Sequence, residues 1–152
     1  MFGTKSDAPK KLISFLKDHK VAHLATSGDG GPHSAPVFYA LIDGGPALAW
    51  LSATDVLHSL HIDGDTDISV SIAPSNPKVT RITGVQMRGS AHKLEGKDGE
   101  KVRNTYLKRH PGAATMVIAH PDHRFYLFTP TWARLIDRPL GIDRNEEWTF
   151  SQ

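Results

Sequence analysis

The chain has 152 residues, of which 39% are apolar, enough for one domain with a substantial core. It has no cysteine, which excludes disulfides and thiolate chemistry, and its formal charge of +2 comes from scattered basic residues rather than the stripe a nucleic-acid groove needs. The opening MFGTKSDAPKK holds no apolar signal segment, and no apolar run nears the ~20 residues that span a bilayer, so the expectation is a cytoplasmic protein without membrane or nucleic-acid partners.

In chain order, Met1–Asp7 reads as a loose lead-in. Ala8–His19 reads as an amphipathic helix, with Asp7 as its cap and Leu12, Ile13, Phe15 and Leu16 on one side. Val21–Thr26 is a short strand, and Ser27–Gly31 a turn. The next stretch organises the rest: a strand over Pro32–Ile42, a turn at Asp43–Pro46, a strand over Ala47–Ser52, and a helix over Asp55–His61 capped by Ser52 or Thr54. Asp67–Ala73 alternates Ile68, Val70 and Ile72 with Ser69 and Ser71, the pattern of a half-buried strand.

Val79–Leu94 is a long strand interrupted by Gly84 and Gly89, which mark a bulge, a barrel corner or a close approach of other atoms. Gly96–His110 is a helix with Asp98 as a cap and a buried stripe of Val102, Tyr106 and Leu107, stopped by Pro111 and Gly112. Ala113–Ala119 is a short helix or a buried turn. His123–Thr129 and Trp132–Asp137 are two strands bent at Pro130-Thr131, and the tail from Arg138 is an extended cover. About six strands joined mostly by hairpins, with three or so helices, make a mainly β antiparallel barrel with peripheral helices, one domain over 1–152.

The strand-to-helix junction at Ser52 can hold a phosphate on free backbone N–H groups, with His58 as a second contact. On this segment alone the plainer reading is favoured, with Ser52 and Thr54 as caps and His58 a surface residue. Gln86 can bond the edge of a flat heteroaromatic ring or simply be solvated. Trp50, Trp132 and Trp148 suit core, interface or ligand platform. No metal site is expected: in His120-Pro121-Asp122-His123 the proline and loop remove the helical i, i+4 geometry, and His58 and His61 lack a third ligand. There is no Gly-x-Ser-x-Gly elbow, and no catalytic residue can be assigned.

Three stretches carry a resemblance: Pro32…Pro36-Val37-Phe38-Tyr39, Trp50-Leu51-Ser52 with Leu57-His58, and Gly84-Val85-Gln86-Met87-Arg88-Gly89. Over nearly its whole length the chain resembles the flavin-binding split barrels related to pyridoxamine-5′-phosphate oxidase. ITGVQMRGSAHKLEG, Arg103…Tyr106-Leu107-Lys108-Arg109-His110-Pro111 and Leu135-Ile136-Asp137…Leu140-Gly141 are similar to a small bacterial subfamily, whose Gly-Phe-Gly ending here reads Gly141-Ile142-Asp143. The resemblance implies a six-stranded antiparallel split barrel, homodimeric, with FMN at the subunit interface.

It further implies that Ser34, Ala35, Pro36 and Val37 line the flavin, and that Leu51 and Ser52 lie at its phosphate end with Ser52 binding the phosphate. His58 stands where the family has a phosphate-gripping Lys or Arg, and Leu57 where the oxidase has a second basic residue. Gln86 would face the isoalloxazine edge, and Trp132 would cover it from the partner subunit. The implied activity is an FMN-dependent oxidoreductase acting on an unknown small molecule. The alternative is a non-enzymatic flavin or haem carrier on the same barrel, with His33 and His58 as ligands. Oxidation of vitamin B6 is not expected, because no second phosphate pocket can be placed.

Overall fold

The computed structural model describes residues 8–140, 142 and 144–151. The expected cap Asp7, and Gly141 and Asp143 of the closing motif, lie outside them. Helix α1 (Lys10–Asp18) follows Pro9, with no side-chain cap, and buries Leu12 and Leu16. The Tyr39 hydroxyl donates to the Leu16 carbonyl at 2.6 Å and so ties this helix to the sheet.

Eight strands follow where six were expected: β1 (Val21–Thr26), β2 (His33–Phe38), β3 (Ala40–Leu41), β4 (Leu48–Ser52), β5 (Asp67–Ile72), β6 (Arg81–Lys93), β7 (Arg124–Pro139) and β8 (Asn145–Thr149). They form one antiparallel sheet in the order β2-β1-β5-β6-β7-β4-β3, with β8 pairing β7. Helices α2 (Leu57–Gly64), α3 (Gly96–Arg109) and α4 (Ala113–Ala119) complete a curled, split-barrel architecture. No helix among the described residues is long and apolar enough to cross a membrane.

The differences from expectation have local causes. The strand expected over Pro32–Ile42 breaks at Tyr39, because β2 pairs with β1 whereas β3 pairs with β4. Side chains of α3 and its C-cap take up carbonyls at the break: the Tyr106 hydroxyl donates to Phe38 O at 3.2 Å, and Nε2 of the cap His110 donates to Tyr39 O at 2.6 Å. The two strands expected around Pro130-Thr131 are one strand. Arg88 pairs with Trp132 and Gly89 with Pro130, so Thr131 is the extra residue of a bulge in β7. The bulge lets one edge of β7 serve two partners, β4 along Arg124–Phe128 and β8 along Trp132–Ile136. The tail is therefore a paired strand, not only a cover. Helix α4 buries none of its residues.

Inward-facing residues of every long strand build the main core. Leu24, Val37, Trp50, Val70, Met87, Tyr126 and Phe128 meet there with Leu12 and Leu16 of α1. A smaller cluster lies on the outer face, where α3 lays Val102 and Tyr106 against Ala49, Phe125 and Leu127. Burial at about 25 cal/mol per Å² of apolar surface favours both. Among the described residues, no helix lies on the rest of the outer face, along β2, β1, β5, β6 and the second half of β7. That face and the end of the barrel beside α2 hold the side chains considered first below.

Candidate functional site

At the end of the barrel beside α2, β4 ends in Ser52 and the chain turns through Ala53–Val56 into the helix. The cap is Val56 and no side chain caps the helix. The first-turn amides accordingly have no intrahelical acceptor. Ser52 and Thr54 are not the caps expected of them: the Ser52 hydroxyl instead lies 2.9 Å from Nε2 of His58. Ser59 Oγ donates to Ala53 O at 2.7 Å, which fixes the helix start to the strand end.

Two more histidines share this end of the barrel. His33 on β2 stands edge-on to His61, with ring centroids 6.0 Å apart. His61 is buried; its Nε2 donates to the Asp29 carbonyl at 2.9 Å, and its Nδ1 lies 2.9 Å from Thr26 Oγ1. Because a carbonyl only accepts, Nε2 carries the proton. Gly28 makes room for this ring, since a Cβ there would meet His61 Cδ2 at 2.7 Å. Burial, and to a lesser degree the neighbouring His33, hold the His58 imidazole below the usual histidine range. Without a ligand, His58 is thus biased toward its neutral form.

The outer face presents two adjacent rows of side chains. One runs Pro36–His23–Ser71–Gln86–Arg134–Glu147 across six strands, and the next runs Ser34–Ala25–Ser69–Arg88–Trp132–Thr149. Trp132 is the flat centre of this surface. The Arg88 and Arg134 guanidinium carbons lie 4.4 and 5.2 Å from its ring centroid. Arg134 is held by Glu147 at 2.7 Å and reaches Gln86 Oε1 at 3.4 Å. Beside the bulge lies an open groove of about 670 Å³, lined by Ala25, Ser69, Arg88, Gly89 and Thr131 among others.

With this geometry the sequence profile of the family described as pyridoxamine 5'-phosphate oxidase matches residues 8–137. The chain belongs to that family. A relative in sequence is a UPF0306 protein of Serratia proteamaculans (strain 568), 25% identical over 150 residues, covering 95% of this chain and 96% of the relative. Two solved structures share the fold. The structure of a heme binding protein from Mycobacterium smegmatis superposes with a TM-score of 0.78 at 20% identity, over 97% of this chain and 60% of that protein. HutZ, a heme storage protein from Vibrio cholerae, superposes with a TM-score of 0.68 at 13% identity, over 79% of this chain and 87% of the other.

Within this member of the pyridoxamine 5'-phosphate oxidase family, the residues expected around the cofactor fall into separate places. Ser52 and His58 meet directly. Along β2, Ala35 and Val37 are buried toward the barrel interior, while Ser34 and Pro36 are exposed on the outer face. Leu51 is half-buried against the α3 cluster, and Leu57 is exposed at the start of α2. Gln86 and Trp132 lie on the outer face, away from Ser52. The pairing of His33 with His61 and the two arginines on Trp132 were not legible beforehand. Only the period-two spacing of Gln86 with Arg88, and of Trp132 with Arg134, hinted at a shared surface.

The proline-containing segment is a non-helical turn, as expected, and a tight one. His123 N donates to His120 O at 3.1 Å, which closes a four-residue turn with Pro121 at its second position. The ends of such a turn lie side by side. Ligand atoms of His120, Asp122 and His123 therefore all come within 4.8 Å of one another.

Proposed function

We propose that this chain binds FMN, with the phosphate at the Ser52–His58 corner, and uses it in an oxidoreductase reaction on a small molecule. The observation that carries this reading is the corner itself. An uncapped helix start, a hydroxyl and an imidazole lie within one helical turn of each other. An anion there gains several donors at once, and the helix end favours negative charge.

The flavin, when bound, supplies the electron or hydride transfer. The chain's own part is to bind and orient it. Ser52 and the first-turn amides of α2 hold the phosphate, and His58 adds a charge once protonated. Ser34, Ala35, Pro36 and Val37 offer the adjoining strand, while Gln86 and Trp132 offer a polar edge and a flat cover. Ser34 and Trp132 sit in one row but four strands apart, about 19 Å along the sheet at ~4.8 Å per strand. Both can touch one cofactor only if Trp132 comes from a second copy, so the reading includes a homodimer with the cofactor between subunits.

A second reading is haem binding, with no enzymatic role. It is favoured by His33 lying beside a His58 that is biased toward the neutral, metal-ligating form, and by two similar structures being described as heme-binding and heme-storage proteins. An absorption spectrum of the purified protein after incubation with FMN or hemin and desalting decides between them. Retention of one FMN per chain, weakened in Ser52→Ala and His58→Ala, supports the flavin reading. A Soret band abolished by His33→Ala moves haem to the front, and retention of neither ligand sinks both.

A further inference from the structure

The turn between α4 and β7 immediately precedes Arg124, the ladder partner of Ser52, and none of its residues is among those assigned to FMN above. We propose that His120, Asp122 and His123 form a binding site for a divalent transition metal of the zinc type. Three observations carry this. Two imidazole nitrogens and a carboxylate oxygen are gathered within 4.8 Å of one another. The His120 and His123 rings lie parallel, with centroids 4.6 Å apart and planes 9° from one another, so they can present their nitrogens in the same direction. Finally, the backbone beneath them is fixed before any ion arrives.

That fixing has several sources. Pro121 locks one φ of the turn, and the His123 N–H to His120 carbonyl bond closes it. Nη1 of Arg124 donates to the Pro121 carbonyl at 3.0 Å and to the His123 carbonyl at 3.1 Å, which holds the descending arm against the start of β7. His120 is also the C-cap of α4, its N–H bonded to Met116 O. The partial negative charge of a helix C-terminus favours a cation beside it.

Zinc ligands at ~2.0–2.1 Å in a tetrahedron stand about 3.3 Å apart. The side chains must close by up to roughly 1.5 Å from their present spacing. His120 and Asp122 are exposed and His123 half-buried, so side-chain rotation supplies this without moving the backbone. Two nitrogens and one oxygen suit zinc, nickel or copper(II) and not magnesium or calcium, which take oxygen ligands. Three protein ligands leave a coordination position open to water or an exogenous group.

The test is calorimetric titration of zinc chloride into chelator-treated, tag-free protein, compared with His120→Ala, His123→Ala, Asp122→Asn and, as a control on an exposed histidine elsewhere, His92→Ala. One zinc per chain is expected, with copper(II) tighter and magnesium silent. His120→Ala and His123→Ala should each weaken zinc by more than tenfold while His92→Ala leaves it unchanged. Arg124→Ala, which frees the turn, should cost roughly tenfold, the scale for groups that hold ligands in place. Circular dichroism melts confirm that each variant is folded. Absence of zinc binding, or binding that survives loss of both His120 and His123, overturns the proposal.

Discussion

His58 is the residue on which the cofactor reading turns. Burial and the neighbouring His33 hold its pKa down in the free protein, whereas a bound phosphate favours the imidazolium and raises it. Between the free and the bound value, binding takes up a proton. FMN affinity should therefore be highest on the acid side and fall as pH rises through the bound-state pKa, by up to about tenfold per pH unit for one linked proton. The phosphate's own second ionisation, near ~6, works in the opposite direction, so the titration belongs above about pH 6.5. FMN fluorescence quenching followed up to pH 8.5 in His58 and His58→Lys proteins checks this. The native curve should slope downward, and the lysine variant should bind more tightly and stay flat. A flat native curve removes His58 from the phosphate site.

At the scale of elements, the bulge in β7 shapes the outer face. Gly89 sits opposite it, and a Cβ there would press into the Thr129 carbonyl and come within 2.7 Å of Pro130 Cα, all backbone that cannot give way cheaply. Gly89→Ala should destabilise the fold by about 3 kcal/mol, the upper end for overpacking, read as a lowered urea midpoint with an unchanged slope. An unaltered midpoint would mean that the ladder relaxes around the methyl group. Gly89 was legible in the sequence because a glycine inside a run of strand formers needs a steric reason. Ile68, Val70 and Ile72 of β5 were legible for the same kind of reason, since a period of two admits one buried face. The break at Tyr39 was not legible, because it depends on Tyr106 and His110 arriving from 68 and 71 residues away. The Ser52–His58 contact was half-legible: spacing set both residues near the helix start, but not that the hydroxyl would turn to the imidazole in place of the amides. At His120–His123 the proline was weighed only for removing the helical i, i+4 spacing; that the turn also draws its two ends together was not legible, because it depends on the bond from the His123 N–H to the His120 carbonyl.

For the molecule as a whole, one helix covers one part of the outer sheet face and leaves the other bare. Trp132, with the Arg88 and Arg134 guanidiniums against its ring, is a broad flat feature of the bare part. If a second copy covers that face, Trp132 behaves as an interface anchor, and Trp132→Ala should weaken both the dimer and FMN retention by about 2 kcal/mol, or roughly 30-fold. Sedimentation equilibrium with and without FMN gives the dimer constant; a native protein that stays monomeric at micromolar concentration in both conditions defeats the expectation. The sheet's rim points the same way. Strand β2 is a terminal strand of the sheet, paired only with β1 along that ladder, and Pro36 stands in the middle of it opposite His23. Proline is tolerated within a paired strand where its nitrogen turns from the ladder to the open rim, and there it denies an incoming chain the donor that strand addition requires. The rim is thereby protected against the runaway stacking that exposed strands invite, which leaves the flat of the sheet as the surface open to a second copy.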